Sequence, residues 1–192
     1  MKKIIAILSV LTLFTGCGCN QKLMDTPTKK VEMFFSNYQS LDDEVVAQLD
    51  KIVAEEENFN TEHRVAYKEL MKKHYKDLTY DVKDEVIDGD VATVTVEIEV
   101  TDYSKAMSDA EDYLEEHPEE FQDENGEYDP ALFITYRLEQ LKGVKDTVKY
   151  TLNLTLSKVN NEWKLDGISD VDERKIHGMY IYWEHNCSFF WY

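Results

Sequence analysis

Two side chains in this sequence have the chemistry of a general acid or base in a setting that could shift their protonation. Asp84 shares the parity of Tyr80, Val82 and Val86, so strict alternation turns its carboxyl toward the apolar face of a strand unless a bulge interrupts it. His74 falls on the apolar side of a helical repeat with Tyr67, Leu70, Met71, Tyr75 and Leu78. Proton transfer on a small apolar substrate needs such a group held away from water, with a second polar group aimed at the same atom. Each residue also has a plainer reading. Asp84 fits a solvated strand end, and His74 fits a half-buried, hydrogen-bonded core histidine, because spacing supplies it with no carboxylate partner.

The stretch Asp123-Glu124-Asn125-Gly126-Glu127-Tyr128-Asp129 sets oxygen ligands at alternate positions, in the manner of a calcium loop. Its glycine is misplaced for an EF-hand and no glutamate stands at the twelfth position, so a turn leading into an Asp129 helix cap is expected. The sequence has no HExxH, GxSxG, glycine-rich phosphate loop or CxxC spacing. No metal and no cofactor is expected.

The elements that would position these groups follow from the periods. Thr26-Pro27 reads as a cap and first helical residue, followed at helical spacing by Val31, Phe34, Phe35 and Tyr38. Asp42-Asp43-Glu44 opens a second helix with an apolar face of Val45, Val46, Leu49, Ile52 and Val53, and Asn60 or Thr61 caps the third, which carries His74. The period then falls to two. Tyr80 to Val86, a turn at Asp88-Gly89-Asp90, and the alternation Val94, Val96, Ile98, Val100 predict a hairpin with one wet face. Helices are expected from Asp102 or Ser104 to His117 and from Asp129 to Gly143, and then a second hairpin through Val148 to Leu156, Asn160-Asn161 and Trp163. Helices first and long half-buried strands after them make an α+β domain, with amphipathic helices on a curved antiparallel sheet and a helical insertion between hairpins.

Composition narrows the function classes. With 192 residues, 43% hydrophobic, and only 7 Gly and 3 Pro, the chain suits one folding unit with a real core. Lys+Arg 21 against Asp+Glu 39 gives a net charge of −18 with no basic block, which excludes a phosphate-backbone binder, so nucleic acid is not an expected partner.

The amino end is an address. Lys2-Lys3 precedes an unbroken apolar run from Ile4 to Phe14, at roughly eleven residues too short to span a bilayer and suited to an export signal. Leu13-Phe14-Thr15-Gly16-Cys17 resembles the lipobox of bacterial lipoproteins. The resemblance implies a signal peptide over 1–16, lipidation of Cys17 with palmitate-type acyl chains, a tether over 17–25, and a single domain over 26–192 held at the outer face of the cytoplasmic membrane or at another envelope membrane. Two or more chains anchor stably where one does not. Cys19 and Cys187 would then be left to pair or to remain free thiols, or Cys19 to serve as a second acylated site.

The opening Thr26-Pro27 with Val31-x-x-Phe34-Phe35, and the closing hairpin Leu152-x-Leu154-x-Leu156-x-Lys158-Val159-Asn160-Asn161-Glu162-Trp163-Lys164-Leu165-Asp166, resemble the NTF2-like fold as found in small lipoproteins of Gram-positive bacteria. That superfamily holds isomerases and dehydratases beside non-catalytic binding domains, so the resemblance implies a cone and no particular reaction. The expected role is an extracytoplasmic binding or scaffold domain. A cone enzyme of the isomerase, dehydratase or hydrolase type, using Asp84 or His74 on a small apolar ligand, is the alternative. The tail over 176–192 crowds aromatic residues together. It either packs as an extra strand or plug, or presents Trp183, Phe189 and Trp191 to an envelope protein or glycan.

Overall fold

The computed structural model describes residues 25–185, with side chains through Tyr182. Cys17, Cys19, Cys187, Phe189, Trp191 and the side chain of Trp183 lie outside the described residues. Three helices open the fold: α1 (Pro27–Ser40), α2 (Asp43–Glu55) and α3 (Thr61–Asp77). Each begins at a side-chain cap that relieves orphan backbone donors. Thr26 accepts from Lys29 N, Asp42 from Glu44 N, and Asn60 from His63 N.

The strands β1 (Thr79–Asp88) and β2 (Val91–Thr101) form the first hairpin. Helix α4 (Ser104–Glu116), a 3-10 turn (Pro118–Phe121) and α5 (Pro130–Gly143) follow, then β3 (Thr147–Val159) and β4 (Glu162–Leu165). The helical insertion between hairpins is therefore present. It carries a small core of its own, in which Ala110, Phe121 and Phe133 pack with Tyr113 and Tyr136. The sheet is antiparallel in the order β1-β2-β3-β4, and the whole is a curved α+β arrangement.

One face of the sheet is the core. Ala92, Val94, Val96, Ile98 and Val100 on β2, and Leu152, Leu154 and Leu156 on β3, are all buried under Val31 and Phe35 of α1 and Met71 and Tyr75 of α3. Each buried Val, Ile, Leu, Phe and Met among them contributes on the order of 1.5–3 kcal/mol by leaving water. The opposite face is wet and sets Thr93 opposite Thr155, Thr95 opposite Asn153, Glu97 opposite Thr151 and Glu99 opposite Lys149.

The alternation of β1 is broken at Lys83. Val82 pairs with Val96, but the next pair is Asp84 with Thr95, so Lys83 is an extra residue in a β-bulge. The bulge reverses parity. Beyond it Glu85, opposite Val94, takes the helix side and its Oε2 accepts from Thr28 N (2.8 Å) and Thr28 Oγ1 (2.7 Å) at the start of α1.

The described part of the aromatic tail is helical, not an added strand. Helices α6 (Asp170–Ile176) and α7 (Tyr180–His185) fold back onto the core, where Ile176, Met179 and Tyr182 are buried. Tyr182 Oη donates to Glu111 on α4, and the Tyr180 ring meets Tyr150 edge-on. Ile176, Met179 and Tyr182 recur every third residue, a spacing that helical turns bring to one side and an alternating strand would not.

Candidate functional site

The structure does not bring Asp84 and His74 together. Asp84 is exposed on the wet side opposite Thr95, because the bulge spends the residue that would have turned it inward. His74 is 1% exposed on the inner side of α3. It lies beside Gly178, whose backbone meets Thr101 at the far end of β2, and from Thr95 to Thr101 is roughly 20 Å of strand. The imidazole Nε2 donates to the Ile176 carbonyl at 2.7 Å, which leaves Nδ1 as a buried acceptor without a partner among the described residues. Burial drives its pKa down to about 4, so it is neutral at pH 7. Asp123 is occupied by its turn, accepting from the backbone of Asn125 and Glu127, and those bonds hold its carboxyl below the usual range. Among the described residues no cluster of His, Cys, Asp and Glu could hold a metal ion.

The concave surface of interest lies elsewhere, on the outer side of α3. A groove of about 630 Å³ runs along α3 from Thr61 to Lys73, with Val65, Ala66 and Leu70 as its floor and Lys142 at the end of α5 closing one side. Val65 is 59% exposed although apolar. The length of α3 involved is about 18 Å at the helical rise.

A second concavity adjoins it and shares Lys73. This notch, about 340 Å³, is formed where α3 and α5 end and the strands begin. Thr79, Thr101 and Thr147 bring hydroxyls to it, Asp77 and Glu99 bring carboxylates, and Lys145 brings a second ammonium. The carboxylates are already engaged. Asp77 pairs with Lys73 at 2.6 Å, while Glu99 accepts from Thr147 Oγ1 at 2.8 Å and sits 3.8 Å from Lys149. Lys142 and Lys145 make no ion pair with any described residue. In a chain of net charge −18 that is notable, because carboxylates are abundant and most lysines find one.

Neither Asp84 nor His74 lines the groove or the notch. The residues that do were missed in the sequence because their types are ordinary. One signal was available: Val65 stands off the apolar stripe of Tyr67, Leu70, Met71 and His74, and an apolar side chain on the outer face of an amphipathic helix asks for a partner.

No protein-family model matches the chain, and no curated protein matches it. Among solved structures it is similar to the crystal structure of a candidate lipoprotein from Bacillus subtilis, at 13% identity, with a TM-score of 0.40. The likeness covers 83% of this chain and 54% of that one, so this chain spans about half of that protein's length. A TM-score of 0.40 does not establish a shared fold. Among the described residues no helix is long and apolar enough to cross a membrane.

Proposed function

We propose that the protein is an exported, lipid-anchored binding domain that acts without catalysis, and that its binding surface is the groove on α3 with the adjoining notch. The observation that carries the binding reading is the exposed apolar side chain of Val65 over a groove floored by the partly buried Ala66. An apolar recess of this size beside a few polar groups is the usual form of a ligand site. The anchor rests on Leu13 to Cys17, with the signal peptide over 1–16, the tether over 17–25 and the domain over 26–192. Helices before a long antiparallel sheet support an NTF2-like reading of that domain, although the sheet's inner face is filled by packed side chains, which moves the site to the outside of the helices.

The enzyme alternative would need Asp84 or His74 at a substrate cavity, and the two lie apart and away from both concavities. Two experiments test the reading. Cys17→Ser should shift the protein from the membrane fraction to the soluble one, and retention in the membrane would overturn the anchor. The neutral apolar dye Nile red should bind the unlipidated chain (residues 17–192) one to one and lose that binding in Val65→Glu. Dye binding unchanged by Val65→Glu would remove the groove as the binding surface.

A further inference from the structure

The point at which the chain enters the domain is fixed by bonds. Asp25 Oδ1 accepts from Trp163 N on β4 at 3.2 Å and lies 3.4 Å from Lys30 Nζ, and three residues later Thr28 is held by Glu85 of β1. Glu85 comes just before the β1–β2 turn and Trp163 just after the β3–β4 turn. The two turns are neighbours, since Lys158 N donates to Asp90 O at 2.8 Å. Asp25 therefore stands at the hairpin-turn end of the sheet. The opposite end holds Thr79, Thr101 and Thr147, with Gly178 against Thr101.

The same end gathers exposed aliphatic side chains. Val86, Ile87, Val91 and Val159 are 42% to 58% exposed, four of the ten large apolar side chains exposed among the described residues, and the other six are scattered over the helices and the insertion. Val86 lies opposite Thr93, and Val91 lies opposite Asp88 and Ser157, so with Val159 they share the wet face as diagonal neighbours. Ile87, opposite the buried Ala92, stands at the rim of the other face. Around the turns Asp84, Asp88, Asp90 and Glu162 outnumber Lys158 and Lys164, so attraction to anionic lipid does not hold this end down. An anchor on Cys17 would. It raises the local concentration of lipid to the millimolar range, where a few aliphatic contacts suffice.

We infer that the hairpin-turn end faces the bilayer, with Val86, Ile87, Val91 and Val159 resting on the head-group layer of the membrane that holds Cys17. The inference rests on the anchor reading and adds the orientation of the domain and its contact surface. Reach agrees with it. Eight residues from Cys17 to Asp25 span at most about 29 Å when fully extended. A domain standing on its opposite end would hold Asp25 roughly 36 Å above the surface, the rise of β3 from Thr147 to Lys158, and the tether would not reach. The notch at Thr79, Thr101 and Thr147 then points away from the membrane.

The test couples the chain (residues 17–192, Cys19→Ser and Cys187→Ser) through the Cys17 thiol to a maleimide lipid in phosphatidylcholine vesicles. Dansylalanine replaces either Val159 or Lys145, which lie at opposite ends of β3 and its preceding loop, and a lipid with a nitroxide head group quenches it. The probe at position 159 should lose most of its emission on coupling, and the probe at 145 should keep it. Val86→Glu with Val91→Glu, and the uncharged pair Val86→Ser with Val91→Ser, should each relieve the quenching at 159. Replacing part of the phosphatidylcholine by phosphatidylglycerol should weaken it as well. Equal quenching at both positions, or stronger quenching at 145, would overturn the orientation. Quenching at 159 that survives both valine pairs, or that grows with phosphatidylglycerol, would overturn the aliphatic contact. A shift of the 159 probe with protein concentration in the absence of vesicles would make a second copy the occupant and overturn the inference. Membrane retention of Cys17→Ser would by contrast remove the anchor reading alone, since the coupled chain does not depend on lipidation.

Discussion

His74 Nε2 donates to the carbonyl oxygen of Ile176 at 2.7 Å, joining the last turn of α3 to the end of α6 across 102 positions of chain. Two further bonds act on the same joint. Tyr75 Oη meets His177 Nε2 at 3.1 Å, and Tyr103 N donates to Gly178 O at 2.9 Å. The step from α6 to α7 is thus held from α3 and from Tyr103, the residue before α4. The described part of the tail is fixed by polar bonds inside the core as well as by Ile176, Met179 and Tyr182.

The first prediction is acid lability of this joint. Burial lowers His74 and His177 from 6.5 to about 4; the bond to the Ile176 carbonyl raises His74 by less than burial lowers it, and His74 further disfavours a charge on His177. Lys73 lowers His74 and Asp77 raises it, both less than burial does. A histidine with a folded pKa below its unfolded value contributes stability that is complete above pH 6.5. That contribution is lost as pH falls toward 4, since the unfolded chain takes the proton first. For His74 the loss is about 3 kcal/mol by pH 4. Urea denaturation across pH 7.5 to 4 should show stability falling with a slope approaching two protons, and His74→Gln should remove about one of them. A flat profile would mean that neither ring is buried neutral.

A glycine fixes the same joint sterically. Gly178 has φ +70°, and a Cβ there would lie 2.0 Å from the Thr101 carbonyl oxygen, a backbone atom that cannot move aside. Gly89, in the β1–β2 turn, has φ +61° but open space around it. Gly178→Ala should therefore cost about 3 kcal/mol or more, and Gly89→Ala about 1 kcal/mol. The comparison in one urea series isolates the contact from the backbone strain, and equal costs would show that α6 and α7 are not packed against β2.

These features mark where sequence reasoning stops. The helix starts were legible because Thr26, Asp42, Asn60 and Asp129 satisfy local donors two or three residues on, which spacing alone reveals. The buried strand faces were legible because period two is local as well. His74 was legible as an inward residue, but its partner Ile176 is a backbone carbonyl far along the chain, and no pattern marks a carbonyl. Strict parity turns Asp84 inward, and the solvated reading holds instead because of a bulge at Lys83, which leaves no trace in residue type. The groove depends on α5 ending beside the outer side of α3, a tertiary fact, and only Val65 hinted at it.

Glu85 offers a separate check on the consequence of the bulge. Its carboxylate accepts from both Thr28 N and Thr28 Oγ1, so it caps the first turn of α1 from the sheet, in addition to the Thr26 cap. Glu85→Gln keeps the shape and removes the charge beside the helix N-terminus. A loss of about 0.5–1 kcal/mol is expected, shrinking in 1 M salt. A neutral result at low salt would show that Thr26 alone saturates that end.

The last prediction concerns Lys83 itself. Val82 pairs with Val96 and Asp84 with Thr95, so removing the residue between them leaves every other pair of the hairpin in register and every inward side chain inward. A single-residue deletion in the middle of a strand normally reverses all that follows it. Here ΔLys83 should keep Glu85 on Thr28 and Ile87 opposite Ala92, and cost little beyond the Lys83 pairings with Asp81 and Glu97, which are exposed and weak. Deleting Asp81, outside the bulge, should by contrast misplace Tyr80, whose hydroxyl reaches Glu32 O and whose ring stacks on Phe35. The gain from the bulge is then visible in solution behaviour. β1 is an edge strand of 10 residues, and a bulge with a lysine on it keeps that edge from pairing with another chain. ΔLys83 should fold with a midpoint close to that of the parent and yet self-associate at lower concentration, seen by light scattering. A deletion that unfolds the protein would mean that Lys83 is a paired strand residue after all.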